Sequence, residues 1–168
     1  MTTDLIDRPG AGTGAAARGR GDQSESERMF VTLTVAGQLC GVSVTAVRDV
    51  LGEQPITRIP LAPPEIAGSL NLRGRIVTAI DLRRRLNLAP APAGTPRMSV
   101  VAEQGGELYA LLVDQVSEVM TLRSGQFERT PPTLPATWAA YSDGIYRLQT
   151  GLLVVLDVAR LLALSNDS

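Results

Sequence analysis

The side chains that most often carry out catalysis at neutral pH are missing from this chain. It contains no His, and all 16 of its basic residues are Arg. A general base that titrates near neutrality is most often His, whereas Schiff-base chemistry and phosphate-binding P-loops need Lys. The one Cys, Cys40, lies in an apolar strand pattern and has no partner for a disulfide or a zinc site. The sequence therefore predicts no catalytic residue, no metal and no cofactor.

Carboxylates are the remaining groups that could support catalysis, and a small acid/base enzyme stays open as an alternative. The candidates are Asp49, Asp81, Asp114 and Glu118, but no paired acidic motif joins them. Asp81 precedes a short helical pattern, and so does Asp157 near the end of the chain. Capping of a helix N-terminus explains these two residues better than catalysis does.

A single arginine offers a different kind of chemistry. In the stretch from Pro55 to Leu86, the strand-like run Ala67–Leu72 is followed by Arg73-Gly74 and a second run, Arg75–Ile80. A turn between two strands would hold the guanidinium group of Arg73 in a fixed place. Five donors in a planar fork suit carboxylates and backbone carbonyls. This pattern is typical of a binding surface.

Length and composition limit the architecture and the partners. The 168 residues fit one domain or two small subdomains that share a core. A net charge of -1 and an aromatic content of 4% argue against nucleic-acid binding. A small nucleic-acid-binding β-barrel nevertheless stays open as an alternative. No apolar run has transmembrane length, and the first residues lack a signal-peptide core, so we expect a cytoplasmic protein without membrane insertion.

Short β-strands make up most of the predicted secondary structure. Residues 1–27, rich in Gly, Ala and Ser, are predicted to form a disordered tail, and residues 28–168 the folded domain. Alternating apolar residues predict strands at 30–35, 39–44, 67–72, 75–80, 98–102, 107–113, 143–148 and 152–155. A helical turn is predicted within Thr45–Leu51, and short helices at 82–88 and from Asp157 to near Leu164. The run 83–85 is interpreted as a solvated helix face, and Trp138 and Tyr141 are placed in an irregular loop.

The second half of the chain repeats the first. Residues 38–51 align without a gap with 107–120, so that Asp49 corresponds to Glu118. Residues 75–86 likewise align with 151–162. An internal repeat predicts two similar β-units, each closing a small barrel from about five strands.

The same residues resemble the CheW family of bacterial chemotaxis adaptors. The resemblance covers about residues 29 to 164. Its most specific part is the spacing between Asn71-Leu72-Arg73-Gly74 and Ile80-Asp81-Leu82-Arg83. Further matches are Gly41-Val42, Val47-Arg48-Asp49-Val50, Ile56-Thr57-Arg58-Ile59-Pro60, and Leu156-Asp157 with Leu161-Leu162. The chain is too short to add the receiver or kinase domains that related proteins carry, so the resemblance is to a standalone adaptor.

The resemblance implies a mainly β fold and a function without catalysis. The fold would be two five-stranded, SH3-like barrels packed side by side and intertwined, with short helices and a second barrel built largely from 97–155. The partners would be the cytoplasmic hairpin tip of a chemoreceptor and the regulatory domain of the histidine kinase CheA, within membrane-associated receptor arrays. The receptor tip would lie in an apolar groove between the barrels, and the kinase at the end of the first barrel.

The resemblance also assigns candidate partner-binding residues. Arg73 is the functional arginine of the motif, with Asn71 and Gly74 beside it. Asp49 stands where the family usually has Glu, one methylene longer, and is expected to pair with Arg73. Val47 corresponds to an apolar groove position, and weaker groove candidates are Val42, Val44 and Val100.

Overall fold

Two five-stranded sheets make up the protein in a computed structural model, which describes residues 26–163. The strands are β1 (Glu27–Val35), β2 (Gln38–Ser43), β3 (Val47–Leu51), β4 (Ile66–Leu72), β5 (Arg75–Asp81), β6 (Met98–Gln104), β7 (Glu107–Val113), β8 (Gln115–Arg123), β9 (Ser142–Leu148) and β10 (Gly151–Leu156). The α-helices are one turn long: α1 (Leu82–Arg85), α2 (Ala136–Ala139) and α3 (Val158–Leu161). Two 3-10 turns lie at Val44–Ala46 and Ser124–Gln126. The mainly β class predicted from the sequence is confirmed.

The sheets exchange strands between the two halves of the chain. One sheet has the order β8-β1-β2-β10-β9 and the other β3-β6-β7-β5-β4. Adding five to each strand number of the first order, and counting from β1 again after β10, gives the second order. Each sheet therefore takes a hairpin from one half and three strands from the other, which is why the two units are intertwined.

This exchange corrects the predicted division of the chain. A second unit built largely from residues 97–155 would place β6 and β7 with β8, β9 and β10. Instead, β6 pairs with β3, and β7 pairs with β5 in parallel. One unit therefore runs over β3–β7, and the other combines β1 and β2 with β8–β10. The repeat was visible in sequence, but the partner of each strand depends on long-range pairing.

Each unit has its own small core, and a larger core lies between the units. Leu70, Val77 and Val101 belong to the core of the β3–β7 unit, whereas Phe30 and Tyr146 belong to that of the other unit. The neighbouring residues on the same strands face the shared core. Its members from the strands include Leu33, Val35, Cys40, Val42, Ile80, Val100, Leu111, Ile145 and Val154. Central strands are thus buried on both faces, which explains their nearly continuous apolar runs.

The structure differs from the predicted elements at two strands, β3 and β8. Val47–Leu51 is a strand, and the helical turn lies before it at Val44–Ala46. The spacing of Val47, Val50 and Leu51 fits either element over so few residues, and pairing with β6 decides the outcome. Strand β8 was not predicted, since its residues are mostly exposed or half-buried and show no clean alternation.

The first strand of the chain begins earlier than predicted from the sequence. Glu27, which was assigned to the tail, opposes Arg123 at the start of β1, and Ser26 Oγ lies 2.7 Å from Ser124 Oγ. The rest of the predicted tail, 1–25, and the end of the predicted last helix, from Leu164, lie outside the described residues. Trp138, predicted in an irregular loop, lies in α2 and is buried in the shared core.

Candidate functional site

Arg73 lies in the two-residue turn that connects β4 and β5. Arg73 has φ +51° and Gly74 has φ +87°, the left-handed pair required by a type I′ hairpin turn. The Asn71 Oδ1 atom accepts a hydrogen bond from the Gly74 amide at 2.9 Å and fixes the turn from within. The Arg73 side chain is 76% exposed. The motif Asn71-Leu72-Arg73-Gly74 therefore builds a rigid turn that displays one guanidinium group.

Asp49 faces this guanidinium from β3. Its Oδ2 atom lies 2.9 Å from Arg73 Nη1, and the Asp49 side chain is 23% exposed. Asp49 Oδ1 accepts a hydrogen bond from the Val50 amide at 2.8 Å, whereas the buried Oδ2 accepts none. Although the distance is short, the contact is therefore an ion pair without hydrogen-bond alignment. The strand register shifts between Val47 and Asp49, and an irregularity of this kind re-aims side chains at a strand edge.

A groove of about 310 Å³ surrounds this ion pair. Arg48 and Glu103 form a second ion pair in it, with 2.8 Å between Nε and Oε1, and Arg48 Nη1 donates to the Thr45 carbonyl at 3.0 Å. The groove is completed by Leu72, Arg75 and Leu108. Three guanidinium groups, two carboxylates and two leucines can bind a polar protein surface with an apolar centre. They offer no nucleophile with a base beside it.

The valine candidates divide into surface and core. Val47 and Val44 are half-buried, and Val47 also packs against the shared core. Val42 and Val100 are completely buried in that core, so their prediction as groove residues is wrong. Apolar alternation cannot distinguish a strand face that lines a groove from one that lies between two sheets, because both faces of these strands are apolar.

The described part of the second half has no counterpart of the Arg73–Asp49 ion pair at the corresponding place. The internal alignment puts Glu118 at the position of Asp49, and the β9–β10 turn at Gln149-Thr150 corresponds to Arg73-Gly74. Glu118 contributes its backbone carbonyl to the Thr32 hydroxyl, and the residues described show no ion pair there. The repeat therefore places a hairpin turn at both positions, but Gln149-Thr150 carries no charge and lacks the left-handed pair of Arg73-Gly74.

The other carboxylates proposed for catalysis have structural partners. Arg83 binds Asp114 through two parallel contacts, Nε to Oδ1 at 3.0 Å and Nη2 to Oδ2 at 2.8 Å, and the Ala36 amide donates to Oδ2 at 2.7 Å. Partial burial would raise the pKa of Asp114, but these hydrogen bonds outweigh burial and hold the pKa below its usual range. Asp81 caps α1 and pairs with Arg97 at 3.0 Å, and Asp157 caps α3.

Cys40 and the arginine run complete the comparison with the sequence. Burial raises the pKa of the Cys40 thiol, so the side chain is a small apolar core residue. The run 83–85 is not a uniformly solvated face. Arg83 binds Asp114, and Arg85 stacks on Tyr141 at 5.0 Å and donates to the Leu161 carbonyl at 2.8 Å. Reasoning from the sequence missed the contacts of Arg83 with Asp114 and of Arg85 with Leu161 because they join residues 31 and 76 positions apart.

Comparison with known proteins now decides the family. The family model for the CheW-like domain matches residues 29–166. The chain belongs to the CheW-like domain family. Among curated relatives, it is 31% identical to the chemotaxis protein CheW of Bacillus subtilis over 132 residues, covering 78% of this chain and 83% of that protein. It is 26% identical to the probable chemotaxis protein CheW of Rhizobium etli over 138 residues, covering 82% of this chain and 89% of that protein.

A solved structure agrees with this assignment. The crystal structure of the scaffolding protein TtCheW from Thermoanaerobacter tengcongensis superposes with a TM-score of 0.73 at 26% identity, covering 82% of this chain and 94% of that one. The predicted family resemblance and the two-unit fold are confirmed. As a CheW family member, the chain is an adaptor of chemotaxis signalling. Over residues 26–163, the longest α-helices are too short to cross a membrane.

Proposed function

We propose that this protein couples chemoreceptors to the histidine kinase CheA by binding both, and that it does so without catalysing a reaction. The observation that carries the proposal is the Arg73–Asp49 corner. It is a charged turn, held by the Asn71 side chain, on a scaffold of the CheW family. The description of the related TtCheW structure as a scaffolding protein supports the same function.

Arg73 is suited to recognition because most of its hydrogen-bonding capacity is unused. Of the five donors of its guanidinium group, only the Nη1 end approaches Asp49, and the side chain is 76% exposed. The carboxylate holds the group in place while the other donors face solvent. Residues with this combination of rigidity and planar donors are enriched among those that dominate protein interfaces. A receptor or kinase carbonyl or carboxylate is the partner group that we assign to Arg73.

The half-buried valines provide the apolar part of the proposed receptor contact. Val44 and Val47 lie at the junction between β2 and β3, where the chain passes from one sheet to the other. A receptor tip that packs against them would lie next to both units, with Asp49 and Arg73 at its side. The buried Val42 and Val100 support this surface from beneath and do not contact the partner.

Co-sedimentation with receptors tests the bridging function. Receptors in membrane vesicles are mixed with CheA in the presence or absence of this protein, and the fraction of CheA that pellets is measured. We expect CheA to pellet with the receptors when this protein is present, and to stay in solution when the protein is omitted. Equal pelleting of CheA with and without the protein, while the protein itself pellets with the receptor, would show that it binds receptors but forms no bridge.

A further inference from the structure

Leu61 is a fully exposed apolar side chain in the loop between β3 and β4. Its relative exposure is 103%, and its backbone has φ +65°, a left-handed conformation that disfavours L-residues other than Gly, Asn and Asp. Scattered exposed leucines need no explanation by themselves. A leucine that is both fully exposed and held in an unfavourable conformation does, because folding gains nothing from its side chain.

The same loop borders a cleft with a volume of about 570 Å³. Residues 58–64, which include the exposed Ile59, line the cleft together with Arg84 of α1. Asp81 also lines the cleft, but its carboxylate caps α1 and pairs with Arg97. The cleft thus combines apolar side chains with guanidinium groups that Asp81 does not bind.

Arg58 and Arg84 carry the unused charge of this cleft. Within residues 26–163 neither guanidinium group makes an ion pair or a hydrogen bond, whereas Arg83 and Arg85, which flank Arg84, are both bound. The internal repeat makes the contrast sharper. Arg160, which corresponds to Arg84, donates to the Ser142 carbonyl at 3.2 Å and pairs with Asp157 at 3.4 Å. In the first half the counterpart of Asp157 is Asp81, which pairs with Arg97 and not with Arg84.

The repeat also shows what the cleft lacks. The hydrogen bond from the Ala62 amide to the Ile59 carbonyl corresponds to the one from Trp138 to Pro135 in the second half. The bond from Asp81 to Glu65 corresponds to the one from Asp157 to Tyr141. Ala62 therefore occupies the position of Trp138, which fills the shared core and closes its side of the molecule. The first half has a small residue there and stays open.

We propose that loop 58–64 and Arg84 form a docking surface for a protein segment that places an apolar pocket on Leu61 and carboxylates on Arg58 and Arg84. This inference rests on the proposed adaptor function and adds a contact away from the Arg73 corner. A protein fits better than a nucleic acid because the centre of the surface is aliphatic and has no aromatic stacking platform.

Leu61→Gly is the sharpest variant for the test. Glycine adopts φ +65° without strain, so the substitution removes the side chain while relieving the backbone. We expect an unchanged or higher melting temperature. Arg58→Glu with Arg84→Glu reverses the proposed charges, and Arg129→Glu is the matched control. Arg129 is exposed and follows Glu128, which bridges to β9 just as Thr57, before Arg58, bridges to β4.

Binding is measured by calorimetric titration of each protein variant with a receptor cytoplasmic fragment and with the CheA regulatory domain. A separate titration with DNA serves as the polyanion control. We expect Leu61→Gly and the double Arg variant both to weaken binding to the same one of the two protein partners by about tenfold or more, the size of a hot-spot effect, while Arg129→Glu stays near wild type. Wild-type affinity for both partners in either cleft variant would overturn the inference, as would losses at different partners, an equal loss in the Arg129 control or preferential binding of DNA. If the wild-type protein binds neither partner, the proposed adaptor function fails and this inference fails with it.

Discussion

At the scale of single residues, the functional arginine contributes little to the fold. Arg73 is largely exposed, and its contact with Asp49 lacks hydrogen-bond alignment. Exposed ion pairs typically stabilise proteins by about 0–1 kcal/mol because solvent screens them and ordering the side chains costs entropy. The turn that presents Arg73 is held instead by the Asn71–Gly74 hydrogen bond.

Arg73→Ala is therefore expected to lower the free energy of unfolding by less than about 1 kcal/mol. Asn71→Ala should cost more, about 1 kcal/mol, because it removes the acceptor that fixes the turn. Urea titration of the two variants beside the wild type measures both values. A loss of several kcal/mol in Arg73→Ala would mean that the ion pair is structural.

Gly68 has a role in the backbone that no side chain can replace. Its φ is +149°, and a Cβ built there would lie 2.2 Å from the Thr57 carbonyl oxygen. Gly144 repeats this arrangement in the second unit, where a Cβ would lie 2.2 Å from Phe127 Cζ and 2.6 Å from the Glu128 carbonyl oxygen. In both units the glycine lets the returning chain form its bridge to the edge strand.

Gly68→Ala is expected to destabilise the protein by about 2–4 kcal/mol, because overpacking adds to backbone strain. Gly52→Ala is the control, since its Cβ would meet no atom within 4 Å. Thermal melting of both variants checks the prediction. Similar melting temperatures for the two would show that the chain at Thr57 moves away at little cost.

At the scale of elements, the start of β1 holds more of the molecule together than the sequence indicated. Arg28 lies 5.0 Å from the centre of the Phe30 ring and 5.2 Å from that of Phe127, which joins β1 to the segment after β8. The Gly-, Ala- and Ser-rich composition of residues 1–27 predicted that Glu27 belongs to the tail. Pairing with Arg123 of β8, which is distant in sequence, extends the strand instead.

We expect removal of residues 1–25 to leave the melting temperature and partner binding unchanged. Removal of 1–28 should lower the melting temperature by several degrees, because it deletes the Glu27–Arg123 pairing and the Arg28 stack. Differential scanning calorimetry of the two truncated proteins distinguishes these effects. A large loss on removing 1–25 alone would assign that segment a binding or structural role.

Local sequence predicted most elements because the apolar pattern and the turn residues agree there. The hairpins around Ala36-Gly37, Arg73-Gly74 and Gly105-Gly106 combine strong strand patterns with left-handed turn residues, and the structure has all three. Strands β3 and β8 were missed because they receive their pairing from the other half of the chain. The contact between Arg73 and Asp49 was expected only through the family resemblance, since 24 residues separate the two positions.

At the scale of the whole molecule, one charge cluster connects the two units. Asp114 lies where the chain passes from β7 in one sheet to β8 in the other. It binds Arg83 after β5 and the Ala36 amide in the β1–β2 turn, and Arg83 also donates to the Ala89 carbonyl at 3.1 Å. Both charged side chains are mostly buried, at 17% and 20% exposure, so solvent screens their attraction only partly.

This cluster predicts an acid-sensitive contribution to stability. The folded-state pKa of Asp114 is depressed, so its stabilising effect is fully present above the unfolded value of about 3.9 and is lost as the pH falls through the folded pKa. We expect Asp114→Asn to lose about 2 kcal/mol at pH 7 and to show a flatter decline than the wild type below about pH 4. Urea unfolding at pH 7 and at pH 3 measures the difference.

Glu103→Gln serves as the control for that prediction, because the Arg48–Glu103 pair is 47% and 37% exposed and lies within one sheet. It should cost less than about 1 kcal/mol at either pH. Parallel pH dependence in Asp114→Asn and the wild type would show that Asp114 does not control the acid response.

The central claim is that a fixed arginine on a non-catalytic scaffold couples receptor to kinase, and kinase activity in a three-component reconstitution tests it most directly. Phosphorylation of CheA is measured with receptor and with wild-type protein, Arg73→Ala or Arg73→Lys, after circular dichroism confirms that each variant is folded. We expect strong receptor-dependent activation with the wild type, loss of activation with Arg73→Ala, and partial recovery with Arg73→Lys, because an ammonium group cannot make a bidentate contact. Full activation with folded Arg73→Ala would contradict it.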